Sequence, residues 1–133
     1  MPAAILDSYA QLVFLRGEPR EEHVTSLLEM AEEKDAPLHM TEVNHAEVKY
    51  QVIRKDGAER WAEIARELPT LPIEFHPATR SLADFAADFK ARHKLNLADA
   101  FAAALAKEKE AALVTGHAEF KALDKGIAIH WLK

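Results

Sequence analysis

Three acidic residues from distant parts of the chain are the clearest candidates for a chemical role. Asp7 follows a short apolar run, Glu47 lies within a helical segment, and Asp99 stands near the start of another. Carboxylates placed together repel, with a gross cost of about 4 kcal/mol for a pair ~4 Å apart at an effective dielectric of ~20, so a cluster of them needs a cation. The sequence contains no cysteine, so the ligands would be oxygen atoms, which favour Mg²⁺ or Mn²⁺ over zinc.

Each of these acids also has a purely structural explanation. Asp7 can cap the helix that follows it, and a capping carboxylate can still bind an ion. Glu47 falls on the inward stripe of its helix, where a carboxylate is costly unless paired, yet it could be a boundary residue whose carboxylate reaches water. Asp99 stands three positions after Asn96 and could complete a capping box. The residues alone leave both interpretations open.

The elements that would position these acids are short apolar strands alternating with helices. This alternation predicts a parallel sheet covered by helices. In such sheets ligands bind beyond the carboxyl ends of the strands, which is where Asp7 lies. The predicted strands are 3–6, 37–40, 71–75, 112–114 and 126–130, and the predicted helices are 8–16, 20–34, 41–56, 58–68, 79–93 and 96–110, with a helical turn ending at Leu123.

Length and composition limit the class of protein. The 133 residues suit one domain spanning 1–133, and no apolar run approaches the ~20 residues of a membrane span. The N-terminal residues lack the pattern of a signal peptide, so we expect a cytoplasmic protein without a membrane contact. The net charge of −5 argues against a protein that coats nucleic acid through a basic face. It leaves room for an enzyme that meets phosphates through metal ions.

The first predicted helix, from Ser8 to Arg16, is apolar around its whole circumference. A helix of this kind is buried on all sides. In so small a domain, this pattern indicates burial by a second chain.

Four segments together resemble the successive motifs of PIN domains, and most closely those of the VapC toxins of bacteria and archaea. They are Ile5–Ala10, Glu42–Val48, Leu97–Ala104, and Val114–Gly116 with Phe120. No single motif is strong, but four in this order and spacing are fairly specific.

The resemblance implies properties that composition does not reveal. The fold would be a three-layer α/β/α sandwich with a mostly parallel five-stranded sheet. The activity would be Mg²⁺- or Mn²⁺-dependent cleavage of RNA, and the protein would be a homodimer held by a cognate antitoxin protein. The three acids of the family would be Asp7, Glu47 and Asp99, with Thr41 and Thr115 in supporting positions.

The sequence departs from the family at a fourth acid, where His117 follows Thr115 and Gly116. Either His117 or Glu119 could replace the missing carboxylate as a metal ligand, although imidazole is a poor ligand for Mg²⁺. His117 could equally be a solvent-facing loop residue. Two functions therefore remain: a ribonuclease, or a catalytically weakened PIN fold that binds RNA or protein.

Overall fold

The computed structural model describes residues 4–17, 21–123 and 126–132. Its strands are β1 (Ala4–Leu6), β2 (Leu38–Thr41), β3 (Ile73–His76), β4 (Ala112–Thr115) and β5 (Ile129–Trp131). Its α-helices are α1 (Ser8–Leu15), α2 (Glu21–Glu33), α3 (Glu42–Asp56), α4 (Ala58–Glu67), α5 (Arg80–Arg92) and α6 (Leu97–Lys109), and short 3₁₀ helices cover Leu68–Thr70 and Ala118–Leu123.

The five strands form one sheet in the order β3-β2-β1-β4-β5, and every pair of neighbours is parallel. Ile5 pairs with His39 on one side and with Leu113 on the other, so β1 lies at the centre. The predicted α/β/α sandwich with a five-stranded, mostly parallel sheet is confirmed.

Alternation along the strands sends side chains to two helical layers. Ile5 and Leu113 join a core formed with α5 and α6. Leu6 and Val114 point to the opposite face, where they pack with α1 and α2. Met40 on the same face joins a third cluster with α1, α3 and α4. Both faces of the sheet are therefore covered, as its apolar strands require.

Among the described residues, predicted element boundaries agree with the observed ones to within three residues, and the largest difference is at the last strand. The run 126–130 was expected to form that strand, whereas β5 covers Ile129–Trp131. The amides of Gly126 and Ile127 instead donate to the carbonyl of Leu123 in a turn, each at 3.0 Å. Pairing with β4 begins only after this turn, where the amide of Leu113 donates to Ala128 at 2.9 Å.

Helix α1 is buried largely by its own chain. Leu12, Val13 and Leu15 are each at most 8% exposed in the single protomer. The apolar circumference of this helix therefore does not require a second chain, and the predicted homodimer needs other support. Two predicted boundaries, at residues 3 and 18–20, lie outside the described residues. Within the described ranges, no helix is both long and apolar enough to cross a membrane.

Candidate metal centre

Asp7 stands at the carboxyl end of the central strand and caps α1. Its Oδ1 accepts a hydrogen bond from the amide of Ala10 at 2.8 Å, and its Oδ2 accepts one from the hydroxyl of Thr115. The residue is 1% exposed. Burial raises the pKa of Asp7 from 3.8 to about 7; the two hydrogen bonds oppose this rise, and the charge of Asp99 adds to it. Capping and proximity to a second acid therefore coexist at this residue.

Asp99 lies in the first turn of α6 and is 3% exposed. Its amide donates to the side chain of Asn96 at 2.8 Å, so Asn96 caps the helix as predicted. The carboxylate is used elsewhere, because its Oδ2 lies 2.9 Å from Nδ1 of His117. Burial is the largest cause raising the pKa of Asp99; His117 opposes this rise, and the charges of Glu47 and Glu119 add to it.

Glu47 is half-buried on α3 and reaches this cluster electrostatically, through its effect on Asp99. The three acids predicted from the sequence thus form a chain of mutual interactions, Asp7 with Asp99 and Asp99 with Glu47. They come from β1, α3 and α6, which meet at the carboxyl end of the sheet.

Thr115, at the end of β4, anchors the loop in which His117 stands at the position expected for a fourth acid. Its hydroxyl donates to Asp7 and accepts from the amide of His117 at 3.0 Å. Gly116 lies between them, and a Cβ at this position would overlap the ring of Tyr9. A side chain at this position would therefore force the ring of Tyr9 to shift.

The ring of His117 bridges two carboxylates. Its Nδ1 lies 2.9 Å from Asp99 Oδ2, and its Nε2 lies 2.6 Å from Glu119 Oε2. Donor atoms of these three residues lie within 4.8 Å of one another, a spacing that a metal ion could bridge. His117 therefore faces the acidic cluster, and its ring links Glu119 to Asp99.

Sequence reasoning missed Asn44, which is fully buried behind the acids. Its side-chain nitrogen donates to Ser8 Oγ at 3.0 Å and to the carbonyl of Ala98 at 3.2 Å. Its backbone amide donates to Oγ1 of Thr41, the N-cap residue of α3, at 2.9 Å. Asn44 therefore connects the starts of three helices, α1, α3 and α6. An asparagine three positions after a capping threonine was the available signal, but its partners depend on the tertiary fold.

These residues concentrate negative charge at a site that is largely shielded from solvent. Asp7 and Asp99 are buried, the charge of Asp99 disfavours ionisation of Asp7, and the charges of Glu47 and Glu119 disfavour ionisation of Asp99. A divalent cation with oxygen ligands would compensate this charge. The donor set therefore fits Mg²⁺ or Mn²⁺, with imidazole of His117 better suited to Mn²⁺.

Comparison with known sequences identifies the family. The sequence model of the PIN domain matches residues 4–126, nearly the whole chain. The chain belongs to the PIN domain family. PIN domains are nucleases, so the acidic cluster lies in a fold used for hydrolysis of nucleic acids. No curated protein sequence matches the chain.

Solved structures show the same PIN fold at low sequence identity. A VapBC2 complex from Rickettsia felis, bound to a DNA fragment from its promoter, has 15% identity and a TM-score of 0.77, covering 98% of this chain and 99% of that chain. A DNA-bound VapBC from Salmonella typhimurium has 14% identity and a TM-score of 0.77, with full coverage of both chains (100%). VapC20 of Mycobacterium tuberculosis, a sarcin–ricin loop cleaving toxin, has 16% identity and a TM-score of 0.74, covering 95% and 97%.

Proposed function

We propose that this PIN domain protein is an endoribonuclease that hydrolyses RNA phosphodiester bonds with Mg²⁺ or Mn²⁺. The observation that carries the proposal is the burial of Asp7 beside Asp99, with Glu47 acting on Asp99 from α3. Carboxylates held in this way are unfavourable unless a cation shares them. The family's nuclease chemistry supports the same conclusion.

Each residue has a distinct part in the proposed site. Asp7 and Asp99 hold the ion, Glu47 completes the acidic set, and either His117 or Glu119 supplies a further donor. Each oxygen of Asp7 accepts one hydrogen bond but keeps a second lone pair for an ion. Thr115 fixes the Asp7 carboxylate, and Thr41 fixes Asn44 behind it. A bound ion would lower the pKa of a water molecule and neutralise charge on the phosphate.

Cleavage assays on a panel of structured RNAs test this proposal. The wild type should cleave at least one RNA with Mn²⁺ or Mg²⁺ and none with EDTA. Asp7→Asn and Asp99→Asn should reduce cleavage to background, because each removes a charged donor while keeping its shape. The matched control is Asp88→Asn, a change at an exposed acid of α5. If both site variants cut as well as the wild type, the proposal is wrong.

We further propose that the ribonuclease is the toxin of a type II toxin–antitoxin pair, acting in the cytoplasm as a homodimer. Support comes from structural relatives that are VapBC toxin–antitoxin complexes. A groove lined by Trp61, Leu71 and Phe75 between α3, α4 and β3 gives an antitoxin segment an apolar surface to bind. The product of a neighbouring small reading frame should co-purify with the wild type and less well with Trp61→Ala. Light scattering of the isolated chain tests the dimer.

A second candidate function is a non-catalytic module that binds RNA or protein. It is favoured by His117, whose two ring nitrogens face Asp99 and Glu119. Both nitrogens donate only when the ring is protonated, and that cation would satisfy the two carboxylates without a metal.

Titration calorimetry with Mn²⁺ separates the two functions. Under the second, the wild type binds no Mn²⁺, and His117→Asp creates binding by restoring an oxygen ligand. His117→Ala is the control, since it removes the ring without adding a ligand. Tight binding by the wild type that is lost in Asp7→Asn/Asp99→Asn contradicts the second function and supports the first.

A further inference from the structure

Two histidines and a glutamate converge at the edge of the sheet, away from the acidic cluster. Nδ1 of His39 lies 2.9 Å from Nε2 of His76, and each of these nitrogens lies 3.2 Å from Oε2 of Glu74. The register explains this convergence, because His39 pairs with Glu74 across β2 and β3, and Thr41 pairs with His76. Paired residues of neighbouring strands, and those two positions apart, share one face of the sheet.

Hydrogen bonds alone cannot satisfy all three of the polar atoms that meet here, Nδ1 of His39, Nε2 of His76 and Oε2 of Glu74. A neutral imidazole carries one N–H, and an ionised glutamate carries none. If His39 donates from Nδ1, it can serve one or both neighbours, but the lone pair of His76 Nε2 still faces the carboxylate. Whatever the protonation of the rings, the three pairs of atoms at 2.9–3.2 Å therefore include at least one contact between two lone pairs or between two N–H groups, and a cation among the three atoms would relieve it.

We propose that His39, Glu74 and His76 form a binding site for a divalent transition-metal ion, with Zn²⁺ as the fitting ion. Zinc takes imidazole nitrogen at ~2.0–2.1 Å and carboxylate oxygen at about the same distance, so ligand atoms in a tetrahedral site lie about 3.3 Å apart. The observed separations are close to this value and need only a small outward adjustment. Two imidazoles select such an ion against Mg²⁺, which prefers oxygen.

Exposure of the three side chains suits an ion that exchanges with solvent. The side chains of His39 and His76 are 13% and 19% exposed, whereas that of Glu74 is 55% exposed. The rings are thus held by the fold while the glutamate side stays open to water. Three protein ligands leave a fourth position for a water molecule.

The site is separate from the acidic cluster. His39 interacts electrostatically with Lys109 in the last turn of α6. Asp99 lies in the first turn of the same helix, at its opposite end. Ten residues of α-helix correspond to about 15 Å. The two donor sets share no residue, so the proposed zinc site does not depend on the nuclease function.

Binding at this position would join the edge strand to the rest of the sheet. Within the described part of the chain β3 pairs with β2 alone, and its four residues are half-buried or exposed. Zinc ligated from both strands would hold β3 in register and stabilise the folded state, because an ion that binds only the native protein shifts the folding equilibrium.

Zinc titration of the untagged protein in excess Mg²⁺ tests the proposal. An Asp7→Asn/Asp99→Asn background removes the acidic cluster as a competing site. In this background Zn²⁺ should bind one site per chain and raise the melting temperature. Glu74→Gln and His76→Ala should each weaken binding by at least about tenfold, the loss that even an outer-shell change causes. Glu74 is exposed, so Glu74→Gln leaves the fold intact.

The matched control is His117→Ala, which removes the histidine that faces Asp99 and Glu119. It should leave zinc affinity unchanged, and the visible spectrum of bound Co²⁺ should report tetrahedral nitrogen and oxygen ligation lost in His76→Ala. The proposal is overturned if no saturable Zn²⁺ binding occurs, or if binding survives Glu74→Gln and His76→Ala but disappears in His117→Ala.

Discussion

At the scale of single residues, the energetics of the site centre on Asp7. This side chain is buried at the end of β1, and burial raises its pKa to about 7 from 3.8. The folded protein therefore binds this proton more tightly than the unfolded chain does. The resulting stability is fully present below pH 4 and is lost as the pH rises through about 7. A metal ion that replaces the proton would remove this penalty.

Asp7→Asn should make the metal-free protein more stable at pH 8, and change it little at pH 4. The amide keeps the cap and cannot ionise. The rise in the pKa of Asp7 from 3.8 to about 7 corresponds to a loss on the order of 4 kcal/mol in the unfolding free energy of the wild type between pH 4 and pH 8. Urea denaturation in EDTA at both pH values measures it. Equal dependence of unfolding free energy on pH in both proteins would contradict the account, and Asp88→Asn should behave as the wild type.

Gln11 is a second residue whose burial has an energetic consequence. It is 1% exposed on α1, and neither polar atom of its side chain has a hydrogen-bond partner among the described residues. A buried amide without partners costs roughly 1–3 kcal/mol.

Gln11→Met should stabilise the protein by about 1 kcal/mol or more, because methionine fills a similar volume without polar atoms. Thermal and urea denaturation in EDTA would both report the change. Destabilisation instead would mean that the amide has a partner, such as a buried water molecule. Gln51→Met on the half-buried face of α3 serves as the comparison.

At the scale of elements, helix starts place the acids. Asp7, Thr41 and Asn96 cap α1, α3 and α6 with their side chains. Because these caps are local signals, the sequence predicts them and the acids beside them. Asn44 then fixes the three starts relative to one another through Ser8, Thr41 and the carbonyl of Ala98.

Asn44→Ala should destabilise the protein by roughly 3 kcal/mol, since it leaves several buried polar groups without partners. It should also weaken Mn²⁺ binding, because α3 and α6 lose their shared contact. Urea denaturation and calorimetry measure the two effects. Asn96→Ala is the matched control, as loss of a single cap costs only about 1 kcal/mol. A loss at Asn44 no greater than that at Asn96 would count against the linking role.

At the scale of the whole molecule, the sequence predicts what depends on short-range patterns. Alternating apolar runs and helices predicted a parallel sheet covered by helices, the resemblance to PIN domains implied the three-layer sandwich, and the position after β1 predicted the location of Asp7. Contacts that depend on strand order lay beyond that reasoning. The bridge from His117 to Asp99 joins residues 18 apart, and the pair of His39 and His76 joins residues 37 apart.

The same limit explains the last strand and the first helix. The run 126–130 has the composition of a strand, but its first amides are used by a turn onto Leu123. Helix α1 is apolar on every side, and it is covered by the sheet and by α2, α3 and α4 of the same chain. Burial of this kind is decided by topology rather than by periodicity.

Anomalous scattering from crystals grown with Mn²⁺ would test the proposed metal site directly, since it locates the ion among the carboxylates. We expect a manganese peak bound by Asp7 and Asp99, with Glu47 beside it, that is lost in Asp7→Asn/Asp99→Asn crystals. The absence of a peak between these two aspartates at saturating Mn²⁺ would contradict this expectation, whether or not manganese also binds at His39, Glu74 and His76.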